Sequence, residues 1–381
     1  MNKESAYWIA LAHLPRWGYL KINNLIIKFY HENNLSIEDF FQLTENDWKN
    51  QYGIEYKEVE DLKRAKSDLA NNAFLAESLN NEGYELIPIT SPEYSKTLKE
   101  NLKAAHAPAL LYVKGNKQIM QEKSIAIVGS RNATDKSLEF TDNIAKLASK
   151  EYKVVVSGFA KGVDKQALDS AINYKGQSII VLPQGIMTFG SGLKKYYKQI
   201  VDGDVLVLST FFPKAPWKAE LAMARNPIIY GLASEIYVAE SSDKGGTWSG
   251  VVDGLRKNRK IYVRKPDSNE NNANNLLIQK GAIAVDFNGN PLLELDYKPS
   301  LTEVNQLSLI EPTVNYENKI LDLLKTGEYA VKDIIKKLQL TWSEKKLRDY
   351  LKSKKEVETI NKKPMRFTMK DSTIKQISLF D

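Results

Sequence analysis

The sequence predicts an α/β protein with a Rossmann-like, doubly wound parallel sheet, an N-terminal helical domain and a C-terminal winged helix. Continuous apolar runs alternate with helical patterns in the middle of the chain, which is typical of parallel strands that are buried on both faces. The first part of the chain shows only helical periodicity, and the last part shows three helical patterns followed by two strand patterns.

The central domain opens with a strand–helix–strand unit. The apolar run 124–128 and the run 154–156 are predicted strands, and a helical pattern with apolar positions at Phe140, Ile144 and Leu147 lies between them. A crossover helix makes its two strands parallel. Further apolar runs extend the predicted sheet, at 178–182, 205–208, 236–239, 260–263 and 282–285.

These patterns predict the domain boundaries. Residues 1–82 form the helical domain, 83–287 the Rossmann-like domain, 288–312 a proline-containing linker and 313–381 the winged helix. In the last segment, the second helix is predicted at 331–338, the third is capped by Ser343, and the hairpin turns at 361–364. This segment holds sixteen Lys or Arg against ten Asp or Glu, which accounts for most of the net charge of +7. A basic terminal domain favours a nucleic-acid partner.

The composition argues against several classes of protein. The chain has no cysteine, so disulfides and thiolate chemistry are excluded, and a reducing cytoplasm is the expected compartment. No apolar run approaches the roughly 18 residues of a membrane span. All three histidines precede the central strand–helix–strand unit, which excludes a Ser-His-Asp triad within it and disfavours a metal centre. The composition therefore argues against most hydrolytic enzymes, and we expect neither a metal nor a cofactor.

Two loops follow the first two strands of the unit, and each runs into the start of a helix. Free backbone N–H groups and the positive end of the helix dipole meet at such places, so phosphate groups bind there. A dinucleotide loop would read G-x-G-x-x-G, but Arg131 occupies the position of the second glycine. A guanidinium offers a forked phosphate contact instead. The loops are Gly129-Ser130-Arg131-Asn132 and Ser157-Gly158-Phe159-Ala160-Lys161-Gly162.

This pair of loops resembles the paired signature of the DprA (Smf) family. The resemblance continues upstream through 84–90 and 107–115, and downstream through Arg225-Asn226 and 236–240, so it covers most of the chain in order. The chain departs from the family pattern on both sides of Arg225-Asn226, where it lacks a basic residue.

The resemblance implies a function. Members of the family bind single-stranded DNA and deliver it to the RecA recombinase, so the expected partners are single-stranded DNA, RecA and a second copy of the chain, in recombination or DNA uptake. The residues predicted to bind DNA are Gly129, Ser130, Arg131, Ser157, Gly158, Lys161, Gly162, Arg225 and Asn226.

Two alternatives remain open at this point. Gly245-Gly246-Thr247 enters a predicted helix and resembles the nucleotide-phosphate loop of the LOG and SLOG nucleotide-binding folds, which makes a nucleotide sensor one alternative. The glutamates of the hydrolytic LOG enzymes are replaced by residues 249–252, so hydrolysis is not expected. The other alternative is a regulator whose winged helix places its third helix, with Lys345, Lys346 and Arg348, in a groove of duplex DNA.

Overall fold

The computed structural model describes residues 4–292, 316–338, 340, 344–354, 356–360 and 365–369. The chain divides into two compact units, Met1–Asp296 and Tyr297–Asp381. The boundaries predicted at 82/83, 287/288 and 312/313 stay predictions. Residues 288–292 of the predicted linker complete a turn in which Leu292 N–H donates to the carbonyl of Ala284, and residues 293–312 lie outside the described residues.

Six helices begin the first unit, and they bury large apolar and aromatic side chains such as Trp8, Phe40 and Trp48. Capping boxes at Ser36 and Thr44 start two of them by pairing hydroxyl and carboxylate groups with free N–H groups. The helical core continues into the sheet, where it includes Tyr112. The helices are α1 (Ser5–Ala12), α2 (Tyr19–Ile26, extended by a π-helical turn Ile27–Glu32), α3 (Ile37–Gln42), α4 (Glu45–Asn50), α5 (Tyr56–Ser67) and α6 (Leu69–Asn81).

A nine-stranded sheet forms the centre of the first unit, with the order β1-β2-β6-β5-β4-β3-β7-β8-β9. Seven strands, β3 to β9, are parallel as predicted. The edge strand β1 and its neighbour β2 were not predicted, and β2 pairs antiparallel with both β1 and β6. The strands are β1 (Glu85–Pro88), β2 (Leu110–Lys114), β3 (Ser124–Val128), β4 (Val154–Ser157), β5 (Ser178–Val181), β6 (Val205–Ser209), β7 (Glu235–Val238), β8 (Lys260–Arg264) and β9 (Ile283–Val285).

Helices cover both faces of this sheet, as the continuous apolar strands predict. Alternate residues of β3 face opposite layers: Ile127 packs in the core that contains Phe140, and Val128 in the core that contains Ile229. The helices of this region are α7 (Lys96–His106), α8 (Asp135–Lys150), α9 (Val163–Asn173), α10 (Gly190–Lys195), α11 (Tyr197–Asp202), α12 (Ala219–Leu232), α13 (Gly245–Arg256) and α14 (Asn274–Gln279). No helix within the described ranges is both long and apolar enough to cross a membrane.

The strand order reverses at β3. From β3 the chain proceeds outward through β4, β5 and β6, and it then returns to place β7 on the other side of β3. The connections after β3 and β7 leave the sheet toward opposite directions, so a crevice opens at their carboxyl ends. This switch point is the expected ligand site of a doubly wound sheet.

The described residues of the second unit form three helices and a three-stranded sheet with the order β10-β12-β11. A small apolar core that includes Ile334, Leu347 and Phe367 holds it together. Ser343 and the turn at 361–364 lie outside the described residues, and the winged-helix class stays a prediction. The elements are α15 (Tyr316–Leu324), β10 (Tyr329–Ala330), α16 (Val331–Leu338), α17 (Glu344–Ser353), β11 (Val357–Ile360) and β12 (Arg366–Met369). The helices and the hairpin strands lie near their predicted positions, whereas β10 was not predicted.

Candidate nucleic-acid interface

A cavity of about 460 Å³, here called the switch cavity, opens at the carboxyl ends of β3 and β7. Its walls are the loop after β3, the loop between β7 and α13, and one face of α12. Eight of the residues predicted for phosphate binding line it, and they come from both the DNA and the nucleotide predictions: Gly129, Ser130, Arg131, Arg225, Asn226, Gly245, Gly246 and Thr247.

The loop after β3 is held from both sides through its backbone. Ser130 N–H donates to the carbonyl oxygen of Glu240 at 2.9 Å, and Val163 N–H donates to the carbonyl oxygen of Ser130 at 3.2 Å. The hydroxyl of Ser130 accepts from Asn132 N–H at 3.1 Å, which tightens the turn. The next residue, Arg131, is exposed to solvent. The backbone of this loop is thus fixed while the guanidinium of Arg131 is accessible to a ligand.

Three predicted residues at the end of β4 and in the loop after it fix the backbone of this region and do not line the switch cavity. Ser157 is buried, and its hydroxyl donates to the carbonyl oxygen of Ile127 at 2.7 Å. Gly162 adopts φ +84°, and a Cβ atom there would lie 2.4 Å from the carbonyl oxygen of Ser130. Gly158 has no space for a side chain either. These three residues therefore bring the two loops together, and none of them lines the switch cavity.

Arg225 lies at the bottom of the switch cavity and is 4% exposed. Its Nη1 donates to the carbonyl oxygen of Val181 at 3.1 Å, and its Nη2 lies 3.7 Å from Oδ2 of Asp164. Its Nε is buried and has no hydrogen-bond partner among the described residues. Burial lowers the pKa of Arg225 and raises the pKa of Asp164, although each charge partly offsets the effect of burial on the other. Arg225 therefore supplies a buried positive charge below the exposed loops.

A second cavity of about 490 Å³, here called the side cavity, adjoins the switch cavity. Arg131 and Asn132 line both. Lys161, which was predicted to bind DNA, lines only the side cavity, together with Gly162. The two predicted cations Arg131 and Lys161 are therefore brought to one edge of the sheet, and Arg131 stands at the boundary between the cavities.

The predicted nucleotide loop forms the opposite wall of the switch cavity. Gly245 begins α13 with φ +87°, and no side chain caps this helix end, so its first N–H groups are not satisfied by a cap. The hydroxyl of Thr247 donates to the carbonyl oxygen of Gly129 at 3.2 Å. A Cβ atom on Gly246 would lie 2.7 Å from the amide nitrogen of Asn226. The predicted DNA and nucleotide residues thus share one site.

Glu240, which was not among the predicted site residues, holds the loop after β7 in place. Glu240 is nearly buried, and its Oε2 accepts from Thr134 N–H at 3.0 Å, from the Thr134 hydroxyl at 2.9 Å and from the Ser137 hydroxyl at 2.7 Å. It thus binds the loop after β7 to the start of α8. A carboxylate directly after a buried parallel strand was the available signal, because such a position faces the switch-point crevice.

A buried ion pair supports the same region. Arg264 is fully buried, and its Nη1 donates to Oε1 of Glu270 at 2.8 Å while its Nη2 donates to Oε2. The guanidinium lowers the pKa of Glu270 to about 2. Arg264 Nε also donates to the carbonyl oxygen of Ala239, so the pair reaches the loop after β7. Among the residues that the structure describes, no group of three or more His, Asp or Glu side chains is placed to hold a metal ion.

Comparisons with known proteins agree with this architecture. The family described as DNA recombination-mediator protein A matches residues 85–294. The Smf protein of Synechocystis is 26% identical over 324 residues, which cover 81% of this chain and 77% of that protein. The DNA processing protein DprA of Streptococcus pneumoniae is 31% identical over 158 residues, 41% of this chain and 55% of that protein.

A solved structure gives the same result for the fold. The crystal structure of Streptococcus pneumoniae DprA superposes with a TM-score of 0.59 at 24% identity, and the match covers 73% of this chain and 93% of that one. At this identity the likeness concerns the fold alone. The family match spans the sheet, the loops after β3 and β4, and the switch cavity. The chain therefore belongs to the DNA recombination-mediator protein A family, the DprA/Smf family.

Proposed function

We propose that this protein binds single-stranded DNA without catalysing a reaction, through phosphate contacts at the carboxyl edge of its sheet. One observation carries the proposal: Arg131 is exposed at the boundary of two adjoining cavities and forms no ion pair with any described residue. An arginine without a carboxylate partner, beside fixed loops and a helix start, is suited to bind a phosphate. The curated relatives of Streptococcus pneumoniae and Bacillus subtilis are named DNA processing proteins, which supports a DNA ligand.

The cellular role that we propose rests on the family. We propose that the protein acts in the cytoplasm, as a homodimer, and delivers single-stranded DNA to RecA during recombination or DNA uptake. The contacts that we assign to DNA are those of Arg131 and Lys161, with the backbone of Gly129, the hydroxyl of Ser130 and the side chain of Asn226 beside them. Arg225, Ser157, Gly158 and Gly162 act on DNA indirectly, because they are buried or fix the loops.

The salt dependence of binding tests this proposal. Neutralising phosphates releases counterions, so the logarithm of the affinity for single-stranded DNA should fall linearly with the logarithm of salt concentration, by about 0.7 per phosphate contacted. Fluorescence anisotropy with labelled oligothymidylate measures this slope, and a duplex of equal length is the matched control. Binding that is insensitive to salt, or a clear preference for the duplex, would overturn the proposal.

A nucleotide ligand is the second candidate, because Gly245, Gly246 and Thr247 line the same cavity as Arg131. The uncapped N–H groups at the start of α13 are suited to an anion, and the buried charge of Arg225 lies at the bottom of the same cavity. A nucleotide that binds the folded state raises the melting temperature. Gly246→Asp places a carboxylate beside this helix start and should abolish the shift. If millimolar nucleotides leave the melting curve of the unmodified protein unchanged, this candidate is rejected.

For the second unit we propose a winged helix. The order of its elements, with three helices and a three-stranded antiparallel sheet, supports this class. Arg348 lies in α17, the third helix, which is the element that would enter a groove of duplex DNA. A duplex-binding regulator would follow if an Arg348→Ala variant lost duplex affinity while Arg131→Ala kept its affinity for single strands.

A further inference from the structure

The side cavity contains a cation that neither the loop motifs nor the family signature includes. Lys165 is exposed on the first turn of α9 and lines the side cavity with Arg131 and Lys161. None of these three side chains forms an ion pair with a described residue. Three positive charges that surround one concavity repel each other and favour an anionic ligand.

The one acidic residue of the side cavity is already neutralised. Both carboxylate oxygens of Asp169 accept from Nζ of Lys195, at 2.8 and 2.9 Å, and Oδ1 also accepts from the hydroxyl of Tyr196 at 2.6 Å. Asp169 therefore does not compensate Lys161 or Lys165. Other exposed lysines of this unit do have carboxylate partners, as in the pairs of Lys198 with Asp202 and of Lys257 with Asp253.

The two cavities form a continuous path. Arg131 and Asn132 line both of them, and the hydrogen bond from Val163 to Ser130 joins the loop after β3 to the start of α9. A chain of phosphates that enters the switch cavity can therefore continue past Arg131 without leaving the sheet edge. A ligand that fills both cavities at once must be a polyanion with regularly repeated phosphates. A single-stranded nucleic acid meets this requirement, whereas a mononucleotide does not.

We propose that the side cavity is a second phosphate subsite, in which Lys165 contacts the single strand that the switch cavity also holds. This inference rests on the proposed function and extends it, because the single strand would contact two adjoining subsites and not the switch cavity alone. Arg131 lies between the subsites and acts on both, whereas Lys165 acts only on the outer one. A ligand with a single phosphate group occupies the switch cavity alone.

The test compares Lys165→Gln with Lys198→Gln in the full chain. Both side chains are exposed, but Lys198 is paired with Asp202. With labelled oligothymidylate, Lys165→Gln should weaken binding at low salt and shallow the log–log salt slope by about 0.7, the effect of one phosphate contact. Lys198→Gln should leave both quantities unchanged. Circular dichroism and the melting temperature show whether each variant folds.

The outcomes separate this inference from the proposed function. If Lys165→Gln keeps the slope of the unmodified protein while Arg131→Gln shallows it, the second subsite is overturned and strand binding stands. If the unmodified protein shows no salt-dependent binding of single strands, both fall. Thymidine monophosphate, used as a competitor of oligothymidylate, serves as a second probe. Its inhibition constant should be the same for the unmodified protein and for Lys165→Gln, because it occupies the switch cavity alone. A loss of competition in Lys165→Gln would contradict the assignment of Lys165 to the outer subsite.

Discussion

The guanidinium of Arg225 occupies the space beside Gly158 where any side chain would have to lie. A Cβ atom at position 158 would be 1.6 Å from Nη1 of Arg225 and 2.4 Å from Oδ2 of Asp164. The absence of a side chain at Gly158 thus allows an arginine from α12 to reach under the loop after β4. Glycine is therefore required at position 158 by the buried guanidinium of Arg225 and not by a left-handed backbone conformation.

We expect Gly158→Ala to destabilise the protein by roughly 3 kcal/mol, because a displaced Arg225 leaves the carboxylate of Asp164 buried without its partner. Urea unfolding followed by circular dichroism measures the change. Gly190→Ala is the matched control, since nothing lies within 4 Å of a Cβ atom at that position. Equal stability of the two variants would show that Arg225 can move without cost.

We expect Arg131→Ala and Lys161→Ala each to weaken binding of single-stranded DNA and to shallow the salt slope by about 0.7. Both residues lie on loops and form no ion pair with a described residue, so the melting temperature should not change. Anisotropy titrations at several salt concentrations give the slopes. Unchanged affinity in the double variant would move the DNA site away from the carboxyl edge of the sheet.

His13 should make stability depend on pH. Burial lowers its pKa to about 4 from the ordinary 6.5, and its Nε2 is hydrogen-bonded to the Tyr112 hydroxyl at 2.9 Å. Between these two pKa values, His13 binds a proton in the unfolded chain but not in the folded chain. The free energy of unfolding therefore falls by up to roughly 3 kcal/mol as the pH is lowered from 6.5 to 4. His13→Gln should flatten this part of the curve of unfolding free energy against pH. Substitution of the exposed His31 by Gln is the control, and an equal effect of the two would exclude His13 as the cause.

The Arg264–Glu270 pair should stabilise the protein above the ordinary glutamate pKa. The pKa of Glu270 is lowered from 4.5 to about 2, chiefly by its hydrogen bonds from Arg264, so its contribution is present above pH 4.5 and is lost as the pH falls toward 2. At neutral pH we expect Glu270→Gln to cost roughly 3 kcal/mol, since it leaves Arg264 buried with its charge uncompensated. Asp267→Asn breaks an exposed pair with Lys136 and should cost less than about 1 kcal/mol in the same denaturation experiment.

The sequence allowed the parallel part of the sheet to be predicted because its strands are continuous apolar runs. The strands β1 and β2 were missed: β1 ends in Pro88, which has no backbone N–H, and both strands pair in antiparallel orientation. Antiparallel pairing at an edge depends on contacts between distant parts of the chain. Local sequence patterns therefore do not predict such pairing.

The parts of the candidate site were predicted from local signals, and its arrangement was predicted only in part. The glycine turns and Arg131 carry local signals, because phosphate-binding loops have constrained sequences. That Gly245-Gly246-Thr247 faces the same cavity as Gly129 follows from strand order, which places β7 next to β3. The burial of Arg225 and the contacts of Glu240 depend on side chains that meet only in the folded chain, so neither was visible as a pattern.

The backbone clamp on Ser130 has a consequence for how this site can change over time. Its two hydrogen bonds, to Glu240 and from Val163, use only main-chain atoms and therefore survive most replacements of the side chain. Neighbouring positions such as Asn132 and Lys165 can acquire other chemistry while the frame of the loop persists. A lineage can thus exchange one anionic ligand for another by surface substitutions alone, which is how a single architecture comes to serve unrelated partners.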